Sequence, residues 1–121
     1  MKKILVLLAV VSLLIPNSVK GQSTLALQKM CAEEAKKFVS DIQVEFACDY
    51  HYNRQLDKCF IKIMYLEKGV TVTLTNVLEN KLVGHFNSAN YNVKPVLCSV
   101  GGKDCNSWAE FEALIKPYME E

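Results

Sequence analysis

The side chains best suited to acid–base, thiol or metal chemistry in this 121-residue chain are two histidines, five cysteines and a few spaced carboxylates. His51 and His85 are the residue types for an acid–base pair that cleaves a phosphodiester or an ester, provided one substrate reaches both imidazoles. They fall on different predicted hairpins, and exposed sheet positions account for both without catalysis. Glu45, Asp49 and His51 recur at strand spacing on one face, where side chains two residues apart sit about 7 Å from each other. That is workable for flanking ligands to a divalent cation. No second cluster completes such a site, so neither a metal nor a cofactor is expected. Cys48 and His51 are not a nucleophile and its base, because alternation puts them on opposite faces.

The cysteines are Cys31, Cys48, Cys59, Cys98 and Cys105. None forms C-x-x-C, which removes a thioredoxin-like redox site, paired zinc knuckles and covalent c-type haem. An odd count leaves at most two bridges and one thiol. G-x-S-x-G, Gly-rich phosphate loops and H-E-x-x-H are likewise missing from the sequence.

The N-terminus explains why bridges are admissible. Lys2 and Lys3 precede an apolar run from Ile4 to Ile15, Pro16-Asn17-Ser18 breaks it, and Val19-Lys20-Gly21 fits a cut before Gln22. About twelve apolar residues are too few to span a bilayer as helix, which takes about 20. The expectation is a signal peptide over residues 1–21, no stable membrane anchor after cleavage, and export to the periplasm or the extracellular space. Removing Lys2, Lys3 and Lys20 leaves 11 basic against 13 acidic side chains, a formal charge of −2. Interspersed, near-neutral charge argues against nucleic acid as a partner.

The elements that must position these residues follow from periodicity. Leu27, Cys31, Ala35, Phe38 and Ile42 make one apolar stripe of a helix from Ser23 or Thr24 to Ser40. Glu33 and Lys37 stand at the i, i+4 spacing of a surface ion pair. After Asp41 the period becomes two: Val44, Phe46, Cys48, Tyr50 and Tyr52 point inward, and Glu45, Asp49 and His51 outward. Cys59 to Leu66 is a second strand. Pairing Tyr52 with Cys59 places Cys48 opposite Ile63 and keeps Lys62 out of the core. Residues Asn53 to Lys58 then turn the chain. Val70 to Thr75 is a third strand, reaching toward Leu78, and Leu82 to Phe86 a fourth. Val93 to Val100 offers a fifth, which Pro95 confines to an edge or delays.

Gly101-Gly102-Lys103-Asp104 is a turn that brings Cys98 to Cys105; closing that ring contributes about 2.5 kcal/mol on the chain-entropy account. Ser107 and Glu110 match a capping box ahead of Trp108, Phe111, Leu114, Ile115 and Tyr118, and Pro117 should end or bend this last helix. Residues 22–121 thus read as a single α+β domain: N-terminal helix, four- to five-stranded antiparallel meander, C-terminal helix, disulfide-stapled. Both helices are expected on one side. The other side would then be an open face carrying Glu45, Asp49, His51, Thr71, Thr73 and Thr75. Phe46, Tyr50, Tyr52, Phe60 and Tyr65 read as core, with a ligand pocket as the alternative.

Three stretches carry a resemblance. His51-Tyr52-Asn53-x-x-Leu56-x-Lys58-Cys59-Phe60 resembles a segment of a family of small exported bacterial proteins of uncharacterised function. Leu74-x-x-Val77-x-Glu79-Asn80-Lys81-x-x-Gly84-x-Phe86 is similar to the same family, as is the run from Cys98 through Cys105 to Lys116-Pro117-Tyr118-Met119. The resemblance covers much of residues 22–121 and implies an exported domain with a cysteine framework, but no activity. Its recurring cysteines match Cys31, Cys59, Cys98 and Cys105, which favours Cys31–Cys59 and leaves Cys48 as a free thiol. Folding the first helix straight back over its strand favours Cys31–Cys48 instead, and both pairings stand at this point. A free Cys48 is expected to be buried as a small hydrophobe.

The expected function is a non-enzymatic binding or interaction module, engaging a protein or small ligand through the open sheet face or the hairpin tips. The alternative is a small exported hydrolase using His51 and His85.

Overall fold

The computed structural model describes residues 24–120. The expected signal peptide, residues 1–21, lies outside the described residues. Helix α1 (Thr24–Val39) leads into strands β1 (Phe46–Asn53), β2 (Lys58–Tyr65), β3 (Val70–Asn76), β4 (Lys81–Ser88), β5 (Leu97–Val100) and β6 (Lys103–Asp104), and helix α2 (Trp108–Met119) closes the chain. The strands form one antiparallel sheet in the order β1-β2-β3-β4-β5-β6. This is the α+β meander that periodicity predicts. The β1–β2 register is also the expected one, with Tyr52 opposite Cys59, Tyr50 opposite Ile61 and Cys48 opposite Ile63.

The helices, however, do not share a side. Phe60, Val72, Leu74, Phe86 and Val100 bury one sheet face against Phe111 and Ile115 of α2. Tyr52, Cys59, Ile61 and Ile63, on the alternate positions, bury the other against Cys31 and Ala35 of α1. The cause lies in β2, where Cys59, Phe60 and Ile61 are consecutive, apolar and all buried. A strand apolar on both faces needs cover on both. The expected single open face is therefore corrected: Asp49 and His51 look toward the α2 side, and Thr71, Thr73 and Thr75 toward the α1 side.

Aromatic packing fixes α2. Phe86 meets Trp108 edge-on at 5.1 Å and Phe111 at 5.5 Å, and Phe60 meets Tyr118 edge-on at 5.2 Å. Ser107 caps α2, its Oγ accepting from the Glu110 N–H at 3.1 Å, while Glu110 reaches back to the N–H of Asn106. The helix runs through Pro117 to Met119, two residues past the expected stop. On α1, Lys37 pairs with Glu34 at 3.4 Å instead of with Glu33. Strand β5 starts only at Leu97, after Pro95, and Lys103–Asp104 add a two-residue strand where only a turn was expected. Gly101 (φ 57°) and Gly102 (φ 83°) make that tight return possible.

Two disulfides staple the layers. Cys98–Cys105 closes the β5–β6 hairpin, with Cα atoms 5.0 Å apart. Cys31–Cys59, with Cα atoms 5.4 Å apart, ties α1 to β2. The straight fold-back that favoured Cys31–Cys48 fails because β1 begins at Phe46, two residues later than expected, and α1 reaches past it to β2.

Candidate functional site

The β1–β2, β3–β4 and β5–β6 turns all lie at one end of the sheet, and the C-terminus of α2 lies over that end. Asn53 makes the junction. It is fully buried, its Nδ2 donating to the Pro117 carbonyl at 2.8 Å and the Tyr118 carbonyl at 3.1 Å. Its Oδ1 accepts from the Leu56 N–H at 2.9 Å. One side chain thus satisfies carbonyls at the end of a helix, which lack intrahelical partners, and shapes the β1–β2 turn. Sequence reasoning gave Asn53 only a turning role; the nearby signal was Pro117, which marks a helix end needing outside partners.

Between the turns and Tyr118 lies a groove of about 450 Å³, floored by Phe60 and Tyr118 and rimmed by Leu56, Leu82, Lys58 and Lys81. A second hollow of 360 Å³ shares Leu56, Gly101 and Tyr118. Gly101 suits this position: its φ is 57°, and a Cβ there would stand 2.8 Å from the Tyr118 hydroxyl, which would have to shift. Lys58 and Glu79 form an ion pair at 3.2 Å on the rim. Leu56 and Leu82 are 45% and 55% exposed, and Leu78 in the adjacent turn is 52% exposed. Turn chemistry calls for Gly, Asn, Asp or Pro, not leucine. Residues from positions 51–60, 74–86 and 98–119 all line this end. The groove can hold apolar groups, and among the described residues that line it there is no nucleophile with an adjacent base.

The other sequence-predicted residues do not converge. His51 faces the α2 side, partly covered, with its Nε2 buried and lacking a hydrogen-bond partner among the described residues. It was expected outward and exposed; cover from α2 overturns that. His85 sits on the opposite face, half-buried between Thr73 and Ser99 on the neighbouring strands. The two strands are three places apart in the sheet, or about 14 Å laterally. With the sheet between them, one substrate cannot touch both imidazoles. Glu45 and Asp49 are exposed, and among the described residues no three His, Cys, Asp or Glu side chains gather as a metal would require.

Cys48 is a free thiol, and it is exposed, correcting the expectation that it is buried. It lines a mostly apolar cleft of 430 Å³ between β1 and α1 with Lys29, Ala32, Lys36, Val39 and Tyr50. Because β1 is the outermost strand, its middle residues project beyond the helix cover. Phe60, expected to share a core with Phe46, Tyr50, Tyr52 and Tyr65, lies on the opposite face from them, and Tyr50 is 44% exposed.

No family model, curated protein or solved structure matches this chain.

Proposed function

We propose that this protein is an exported, disulfide-stapled binding module without catalytic activity, which grips an apolar segment of a protein partner in the hairpin-end groove. The observation that carries the reading is the pair of exposed leucines, Leu56 and Leu82, held on the rim of an aromatic-floored groove. Exposed apolar side chains gathered on one concave surface, beyond anything the turns require, mark contact sites. The two disulfides fit folding in an oxidising compartment, and among the described residues no helix is long and apolar enough to cross a membrane. The resemblance to small exported bacterial proteins agrees with this placement, with residues 1–21 as the cleaved signal.

Burying a leucine is worth about 1.5–3 kcal/mol, so Leu56→Asp with Leu82→Asp should weaken binding by about 100-fold or more. The test is photo-crosslinking from position 82 in intact source cells, followed by affinity measurement with the captured protein. Val96→Asp, on a residue 87% exposed in the β4–β5 connection, should leave affinity unchanged. An unaltered affinity in the double variant would overturn the groove as the site. Export is checked separately: the N-terminus of the isolated protein should be Gln22.

A further inference from the structure

Strand β1 is an edge of the sheet, and its outer side is unusually well defined. In an antiparallel ladder, residues alternate between pointing both backbone groups at the neighbour and pointing both away. The Glu45 carbonyl accepts from the Leu66 N–H, so odd-numbered positions face β2. The Tyr52 backbone groups therefore point away from β2, and there the Gln28 side chain fills the place of a strand: its Oε1 accepts from the Tyr52 N–H at 3.3 Å and its Nε2 donates to the Tyr52 carbonyl at 3.2 Å. At the other end the chain bends at Val44, just before β1. Between these limits, the outward backbone groups without a partner among the described residues belong to Phe46, Cys48 and Tyr50. They are symmetric about Cys48.

We propose that two copies of this chain join through their β1 edges, antiparallel about a two-fold axis at Cys48, and that a Cys48–Cys48 disulfide locks the joined sheet. A strand edge is complementary to itself under such an axis, which makes a second copy the natural occupant. Only this register pairs all three free residues, Phe46 with Tyr50, Cys48 with Cys48 and Tyr50 with Phe46, and leaves the Gln28 cap in place. It also sets each Glu45 opposite the other copy's His51, an acid facing a base. Each Asp49 falls opposite Ala47, where a shift centred on Asp49 would oppose two carboxylates. Residues Ala47 to Tyr50 are exposed along this edge. The strand carries no proline or lysine, the usual guards of an edge. At the opposite edge, β6 has two residues and offers no such template.

The thiols are placed to react. A hydrogen-bonded antiparallel pair has Cα atoms about 5.5 Å apart, within the range of about 4.4–6.8 Å that a disulfide spans. The oxidant is a small-molecule or protein disulfide of the exported compartment. One Cys48 thiolate attacks a sulfur of that disulfide and expels a thiolate. Cys48 of the second copy then attacks the mixed disulfide at the first Cys48 sulfur and expels the other. The new S–S bond forms as the donor disulfide is reduced to two thiols, and the two Cys48 protons pass to them.

The test is oxidation of the exported chain in a glutathione buffer, followed by non-reducing mass measurement and peptide mapping. The expected product is a dimer containing a Cys48–Cys48 peptide, returned to monomer by mild reduction and lost in Cys48→Ser. Tyr50→Pro removes an outward N–H without touching the β1–β2 ladder, and should slow covalent dimerisation about tenfold or more. Hydrogen exchange on the unsubstituted chain is an independent reading: the amides of Phe46, Cys48 and Tyr50 should be fast in the reduced monomer and protected in the dimer. A chain that stays monomeric with one titratable or glutathione-capped thiol overturns the proposal. So does a cross-linked dimer whose three amides remain unprotected, since its thiols would have met without the edges.

Discussion

Replacing Asn53 with alanine should be among the most damaging polar substitutions in the protein. The side chain is fully buried and makes three hydrogen bonds, two to the Pro117 and Tyr118 carbonyls and one from the Leu56 N–H. Each such bond contributes a net 0.5–1.5 kcal/mol or so, and a buried group left unpaired costs about 1–3 kcal/mol. The Leu56 N–H sits in an exposed turn where water replaces part of the loss. The sum is about 2–4 kcal/mol. For a domain of this size 1 kcal/mol moves Tm by about 4–8 °C, so Asn53→Ala should lower Tm by roughly 10–25 °C with both disulfides intact. Thermal unfolding followed by circular dichroism measures this directly. Asn53→Asp sharpens the reasoning, because it keeps the acceptor for Leu56 but aims a carboxylate at the carbonyl end of a helix, where negative charge is unfavourable. It should be at least as damaging as alanine at neutral pH. A loss under about 4 °C in both variants would refute the reasoning, since it would mean that the helix end and the turn hold their places without Asn53.

Breaking Cys31–Cys59 by changing both residues to alanine should cost about 3.6 kcal/mol, from closure of a separation of 28 residues on the chain-entropy account, read as a shift in the urea midpoint. Gly69→Ala should destabilise by more than about 1 kcal/mol, because Gly69 has φ 93° and a new Cβ would stand 2.7 Å from the Ser88 carbonyl oxygen; equilibrium unfolding is again the measurement. His85→Ala should move stability by no more than about 0.5 kcal/mol, as the half-buried imidazole makes none of the hydrogen bonds found among the described residues.

Much of this architecture was legible because its elements follow simple periods. The stripe Leu27-Cys31-Ala35-Phe38-Ile42 marks α1, and the need to keep Lys62 out of a hydrophobic layer selects the β1–β2 register. The placement of the helices was not read correctly, although a cue was present. Cys59-Phe60-Ile61 is continuous in hydrophobicity, and Ile63-Met64-Tyr65 repeats the pattern, which is how a strand buried on both faces looks. The alternation of β1 suggested one-sided burial because an edge strand is covered less fully than its neighbour. The same edge position explains Cys48, whose inward parity is right but whose helix cover stops short. The groove was harder to foresee. It depends on three turns and a helix end meeting in space, and the contact that joins them, Asn53 to Pro117 and Tyr118, spans 64 and 65 residues. No local pattern reports a bond of that range.

The two proposed surfaces constrain each other. Asn53 lies five residues beyond Cys48 on β1, about 17 Å along an antiparallel strand. Antiparallel pairing about Cys48 therefore sends the hairpin end of one copy away from that of the other, with the two Asn53 positions about 34 Å apart. Neither groove is covered by the joined edges, because the groove lies across β2 to β5 at the turn end and the seam runs along β1. A dimer built this way presents two grooves facing opposite directions. It would gain little avidity toward two sites set side by side on one target, since both grooves cannot meet them together. It would instead bridge two partner molecules. The stoichiometry separates the cases: the oxidised dimer should bind two partners with the affinity that each Cys48→Ser monomer shows for one. A dimer that binds a single partner more tightly than the monomer would require the grooves to lie side by side, and that would exclude the Cys48-centred antiparallel edge.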